Sequence, residues 1–254
     1  MSQQDFNEFL DEPSRISQKA TARRQRKAAR ATKSAAAEQP QERRVALQPR
    51  TERQAEYLKA LETNDQVFVI GPAGTGKTYI AARWALRQVL DRRKERVVIA
   101  RPTVSNSRHK LGFRPGNQDE KVADWLVPLM DGFKDEASKA TVEKMKRAGQ
   151  IEFAAFETLR GRTFRDAVVI LDEAENCTLG DLKLFLTRIG EGTQVIVDGD
   201  LEQVGDIPDS GFEEVINMIE DYDLSAEIIE FEEEDVVRSR TAKEWVRAFS
   251  RATA

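Results

Sequence analysis

Eight residues, Gly71-Pro72-Ala73-Gly74-Thr75-Gly76-Lys77-Thr78, limit what this chain can fold into more than any other stretch. Four β-formers, Val67 to Ile70, run into them, and Tyr79 to Leu90, free of Gly and Pro, leads out. The succession is strand, glycine-rich loop and helix, with Gly71, Gly76, Lys77 and Thr78 at the spacing G-x-x-x-x-G-K-[ST]. Glycines let the backbone turn its N–H groups inward, and the helix behind adds the positive end of its dipole. Such a loop encloses phosphate. Lys77 then reaches the β- and γ-phosphates and the Thr78 hydroxyl serves Mg²⁺, so the stretch predicts a nucleoside triphosphate site. On the following helix Arg83, Arg87 and Asp91 recur at spacing four and predict one polar stripe, with Ile80, Ala81, Trp84 and Ala85 turned elsewhere.

Composition narrows the class. Hydrophobic residues make up 40% of 254, enough for a packed core. No apolar run approaches the roughly 18 residues of a membrane span, and the N-terminus has no apolar leader core. Cys177 is the one cysteine and His109 the one histidine, which excludes an internal disulfide and Cys/His zinc patterns. A cytoplasmic, Mg²⁺-dependent protein is expected. The net charge of −4 is unevenly spread: residues 14–50 carry eleven Lys/Arg against two Glu, while the remainder is acidic. Residues 1–50 hold too few core formers to offset ordering entropy and are expected to be a disordered basic arm. The arm could contact nucleic-acid phosphates or simply solubilise the chain.

From residue 51 to 254 the pattern alternates. Thr51–Leu61 predicts an amphipathic helix, Arg96–Ala100 a second strand, and the polar stretch to Gly116 a long loop. Val122 to Phe133 reads as a helix broken at Pro128, followed by another over Asp135–Arg147. Strands follow at Ile151–Phe156, Ala167–Leu171, Gln194–Val197 and Glu227–Phe231. Three helices are introduced by Thr178/Asp181, Ser210/Glu213 and Thr241/Glu244, each at capping-box spacing. The expectation is one α/β domain, an open and mostly parallel sheet with helices on both faces.

Two further elements carry chemistry. In V-V-I-L-D-E-A-E-N, residues 168–176, acids follow a buried strand and so stand at the carboxyl edge where such sheets bind ligands. Asp172 is placed to hold Mg²⁺, usually through its waters, and Glu173 to orient or deprotonate the attacking water. In V-I-V-D-G-D-L-E-Q, residues 195–203, a strand end brings Asp200 and Gln203 to the same edge, where Gln203 could sense the γ-phosphate. An ordinary turn at Asp198-Gly199-Asp200 explains that stretch equally. Arg101, Arg108, Lys110 and Arg114 lie after the second strand, and Arg160, Arg162 and Arg165 before the Asp172 strand. These basic loops could hold polynucleotide phosphates, or be solvated charge.

Taken together, T-E-R-Q-A-E-Y-L-K-A-L, G-P-A-G-T-G-K-T, A-R-P-T-V, L-G-F-R-P-G, L-R-G-R-T-F, I-L-D-E-A-E-N, D-G-D-L-E-Q-V and D-V-V-R-S resemble the PhoH family of ATPases over about residues 48–250. The resemblance implies a single RecA-like P-loop NTPase domain related to the first motor domain of superfamily 1 helicases. It implies that Gln54 reads the adenine edge, and that Arg101 and Thr103, with Arg160 and Arg162, meet nucleic acid, more readily RNA than DNA. Arg238 is implied as a transition-state arginine, offered to a neighbouring subunit of a homo-oligomer or ring. Position 175 departs from the family, being Glu where D-E-A-Q is common. The function expected is an ATPase coupled to single-stranded nucleic acid. A metabolite kinase and an ATP-switched nucleic-acid-binding module are the alternatives.

Overall fold

The computed structural model describes residues 45–102, 127–159, 161–201 and 209–237, together with positions 241 and 245. The basic arm up to residue 44, the loop bearing Thr103, Arg108, Lys110 and Arg114, Arg160, Gln203, Arg238 and most of the last expected helix lie outside the described residues. Among the described residues six strands form one sheet: β1 (Gln66–Ile70), β2 (Arg96–Arg101), β3 (Ile151–Ala155), β4 (Ala167–Leu171), β5 (Gln194–Gly199) and β6 (Glu227–Glu230), in the spatial order β3-β2-β4-β5-β1-β6. Every pairing is parallel. All six carboxyl ends therefore share one edge.

The four inner strands, β2, β4, β5 and β1, are buried on both faces because both faces are covered. Val67, Val69, Val97, Ile99, Val168, Ile170 and Ile196 point to one side. There they meet α1 (Glu52–Thr63), α2 (Lys77–Leu90), α3 (Val127–Glu136) and α4 (Lys139–Arg147). The alternate residues Phe68, Ile70, Val98, Val169, Leu171, Val195 and Val197 point to the other, against α5 (Leu179–Leu186) and α6 (Phe212–Asp221). The period-two alternation within each strand thus feeds two separate cores.

Local signals account for most helix ends. Thr51 caps α1 by accepting from the Gln54 N–H at 3.1 Å. Thr178 and Asp181 form the expected capping box of α5, each side chain accepting from the other residue's N–H at 3.1–3.2 Å. The Ser210/Glu213 box does not form. α6 begins at Phe212 behind Gly211, which has no side-chain cap. A Cβ on Gly211 would lie 2.2 Å from the Leu179 nitrogen, so only glycine fits at this cap, while the Ser210 hydroxyl accepts from the Phe212 N–H at 3.3 Å. Pro128 lies within α3, whose described residues begin at Val127. Ser138 caps α4 through the Thr141 N–H at 3.2 Å, so the expected Asp135–Arg147 helix is divided and Glu136 belongs to α3.

The polar stripe of α2 is a second correction. Arg83 is buried in the α2–α3 interface, and Glu136, buried completely, receives Arg83 at 2.7 Å and Arg87 at 2.9 Å. Both guanidinium groups also donate to the Val45 carbonyl, at 2.5 and 3.3 Å, which fastens residues 45–50 across α2. A period-four row of charge resembles a solvated face until another helix supplies its counter-ion.

Removing Glu136 leaves Arg83 buried without its carboxylate. Glu136→Ala is expected to cost about 3–5 kcal/mol, seen as a lower urea midpoint. Glu136→Gln, which keeps an acceptor oxygen but no charge, should fall between the two.

Candidate functional site

The carboxyl edge of the sheet gathers the chemistry. Beyond β1 the chain turns through Gly71, Gly74 and Gly76, at φ of 133°, 93° and 92°, and enters α2 at Lys77. Gly76 gives α2 no side-chain cap, so its first N–H groups stay available to an anion inside the loop. Only glycine suits position 71: its φ lies in the left-handed half, and a Cβ would sit 2.2 Å from the Phe231 carbonyl oxygen. Within the loop the Thr75 hydroxyl donates to the Pro72 carbonyl at 3.1 Å, bridging Ala73 and Gly74. The Lys77 ammonium, mostly buried, donates to the carbonyls of Gly71 at 2.5 Å and Pro72 at 3.0 Å.

Register then decides which acids meet this loop. Val69 pairs with Asp198 and Leu171 with Val197, so Asp172, one residue past β4, stands level with the end of β5. The Thr78 hydroxyl donates to Asp172 Oδ1 at 3.0 Å and lies 3.5 Å from Asp198 Oδ1. Lys77 and Thr78, and Asp172 at 94 residues from Thr78 in sequence, therefore share one site. Glu173 follows in the left-handed region at φ 57°, turning the chain from β4 into the short helical turn Ala174–Asn176. A non-glycine residue there stores about 1–3 kcal/mol of strain, the kind of backbone found where a side chain has to be aimed.

Asp198 is the residue that sequence reasoning missed. Its carboxyl is almost fully buried, and Oδ2 has no partner among the described residues. Burial pushes its pKa well above the ordinary 3.8, and the neighbouring charge of Asp172 pushes the same way. Asp200, the acid expected here, lies past the strand end, where its backbone N–H donates to Glu175 Oε2 at 3.2 Å. Glu175, at the position that departs from the family pattern, is buried and so ties the end of β4 to that of β5. Burial raises its pKa as well. The apolar run Val195–Val197 marks a buried strand, but an Asp beside Gly reads as a turn until the neighbouring strands are in place.

Arg101, the last residue of β2, reaches both acids that follow β4. Its Nη1 lies 3.4 Å from Asp172 Oδ2, and its Nη2 is in contact with Glu173 Oε1. Arg162 is a bidentate partner of Glu152 at 2.5 and 2.8 Å, so in this structure its guanidinium serves β3 rather than a ligand. Gln54 is buried on α1, with both ends of its amide on backbone. Oε1 accepts from Arg50 N–H and Nε2 donates to the Thr75 carbonyl, each at 2.8 Å. To read a base edge it would have to exchange one of these bonds. Beside it, a cleft of about 540 Å³ lies between residues 45–50 and the start of α2, with Gly76, Tyr79, Ile80 and Val237 on its walls. Cys177 is buried, and burial raises its thiol pKa, which makes it a packing residue and not a nucleophile.

Comparison with known proteins bears on the whole arrangement. The family model described as PhoH-like protein matches residues 46–250. The chain belongs to the PhoH-like family. The PhoH-like protein of Mycobacterium tuberculosis H37Rv is 40% identical over 208 residues, covering 81% of this chain and 58% of that protein. Its counterpart in Bacillus subtilis is 38% identical over 208 residues, 81% of this chain and 64% of that one. Protein PhoH of Escherichia coli K12 is 39% identical over 206 residues, 79% and 57%. This PhoH-like chain thus spans less than two thirds of the length of these relatives. Among solved structures, the large terminase of a thermophilic bacteriophage superposes with a TM-score of 0.49 at 11% identity, covering 79% of this chain and 50% of that one. The Pif1 helicase of Candida albicans superposes with a TM-score of 0.34 at 18% identity, over 74% and 40%. No helix among the described residues is long and apolar enough to cross a membrane.

The raised pKa of Asp198 makes stability depend on pH with a definite sign. The folded protein keeps a proton that the unfolded chain releases above about pH 3.8, so stability falls as pH rises from there towards the folded-state value. Asp198→Asn removes that dependence. Its gain over wild type in EDTA should therefore grow with pH in this window, by about 1.4 kcal/mol per unit in urea titrations. A gain that shrinks with pH would mean that Asp198 is stabilised as the anion.

Proposed function

We propose that this chain is an Mg²⁺-dependent ATPase whose turnover is coupled to single-stranded nucleic acid. The observation that carries the reading is convergence: Lys77 and Thr78 from the loop after β1, and Asp172 and Glu173 from the end of β4, meet at one edge. Loop N–H groups and the Lys77 ammonium bind the β- and γ-phosphates, Lys77 by giving up its carbonyl partners. The 540 Å³ cleft against Gly76 has room for the nucleoside, with Gln54 beside it.

The donor set suits magnesium. Thr78 and Asp172 offer hard oxygens, and Asp198 adds a buried oxygen without a partner. No group of three or more acidic, His or Cys side chains among the described residues is arranged to hold a metal. The remaining oxygens would be those of phosphate and water, as is usual for this ion. Bound there, magnesium would neutralise charge on the β- and γ-oxygens. Glu173 accepts the proton of the attacking water, whose oxygen bonds to the γ-phosphorus as the ADP oxygen leaves. Gln203 sensing the γ-phosphate and Arg238 stabilising the transition state, from a neighbouring subunit of a homo-oligomer, complete the proposal, as does RNA as the preferred polynucleotide.

A phosphate-release assay with and without single-stranded RNA tests this reading. Glu173→Gln should lower kcat by about 10²–10⁴-fold while ATP affinity stays near wild type. Lys77→Ala should lose affinity itself. A Glu173→Gln enzyme that hydrolyses ATP at the wild-type rate would remove the assigned base and the mechanism with it.

A further inference from the structure

Arg101 stands where it can control Glu173. Its two terminal nitrogens face Asp172 and Glu173 at once, and its side chain keeps only 19% of its surface exposed, against 37% for Glu173. A guanidinium on Oε1 fixes where the Glu173 carboxylate lies and leaves it fewer acceptor sites for the proton of an attacking water. Resting on the ATPase reading above, we propose that Arg101 is a positioning residue that restrains Glu173 until the phosphodiester backbone of a single-stranded nucleic acid draws the guanidinium away.

The topology says which ligand can do this. Arg101 ends β2, and the sheet runs β2-β4-β5-β1 towards the phosphate loop. Three strand intervals, about 14 Å, separate the end of β2 from that of β1, and only the length of the Arg101 side chain brings its guanidinium to Asp172, which Thr78 holds from the other side. The triphosphate approaches Asp172 and Glu173 from the β1 side, whereas a ligand that draws the guanidinium back towards the end of its own strand comes from the β2–β3 side. That ligand is a second one. A guanidinium fork fits phosphate as it fits carboxylate, so the exchange replaces like with like. One free phosphate has to displace two carboxylates, but a chain of phosphodiesters gains from released counterions and presents many phosphates at once. Arg162, the neighbouring basic residue, is already committed to Glu152. Among the described basic residues expected at nucleic acid, this leaves Arg101 as the one whose exchange would reach the catalytic acid.

The test is ADP production by the full chain with ATP and Mg²⁺, alone and with poly(U), poly(dT), heparin or inorganic phosphate. Wild type should be slow alone and about tenfold faster with poly(U), a fraction of what a freed general base contributes. Arg101→Gln should raise the basal rate about fivefold and respond less than about twofold to poly(U). Its salt dependence of poly(U) binding should flatten by about 0.7 in log–log slope, one single-strand phosphate contact. Arg101→Lys keeps the charge but cannot fork onto two carboxylates, so its basal rate should rise while the salt slope stays that of wild type. This second variant carries the test if Arg101→Gln folds poorly. A basal rate that falls in both variants, with the response to poly(U) kept, would show that Arg101 supports Glu173 and would overturn the proposal. Heparin or inorganic phosphate stimulating as strongly as poly(U) would overturn nucleic acid as the ligand. Wild-type hydrolysis indifferent to every polynucleotide would overturn the restraint yet leave the ATPase. Absence of any hydrolysis would sink the ATPase reading and this one with it.

Discussion

The hydrogen bond from the Thr78 hydroxyl to Asp172, closed across 94 residues of sequence, is the contact on which the site depends. It requires β1, β5 and β4 to lie side by side in one register, since Asp172 reaches Thr78 only when Leu171 is level with Val197. A one-residue slip of β4 would turn its alternating side chains into the opposite cores and send Asp172 away from the loop. The two-sided apolar packing of the sheet therefore does more than stabilise the domain. It sets the position of one carboxylate relative to one hydroxyl.

Around that contact, charge is concentrated where a parallel sheet can tolerate it. Asp172, Glu175 and Asp198 are all buried at the carboxyl edge, and each would be costly as an isolated anion. The structure offsets this in different ways. Asp172 faces both Thr78 and Arg101, Glu175 accepts a backbone N–H, and Asp198 is driven towards its neutral form. Lys77 rests on carbonyls close by. The site is an acidic pocket held in balance by a few cations and protons, the setting in which a cationic ligand or a shifted arginine has large effects.

The wall on the nucleoside side has a different origin. Arg83 and Arg87 meet Glu136 from the next helix and hold Val45 by its carbonyl, so residues 45–50 lie over α2 beside Gly76 and Gln54. An ion cluster inside a helix interface is a weak source of net stability. Its geometric result here is that the cleft and the phosphate loop share the same helix.

Local pattern alone determined a good deal: the Gly71–Thr78 loop between a strand and a helix, the apolar β4 ending in Asp172 and Glu173, and the Thr178/Asp181 box. In each, the signal lies within a few consecutive residues whose backbone preferences agree. Reading failed where a residue's role is conferred by a distant neighbour. Arg83 and Arg87 looked solvated because Glu136 lies 49 residues or more further on. Gly211 takes the cap position after Ser210, and it is glycine because α5 comes too near for a Cβ. Asp198 looked like part of a turn because only the packed strands on either side exclude water from it. Sequence settles what the backbone can do locally. Which side chains lose their water, and therefore which acids change their protonation and which cations find partners, was decided only when the strands came together.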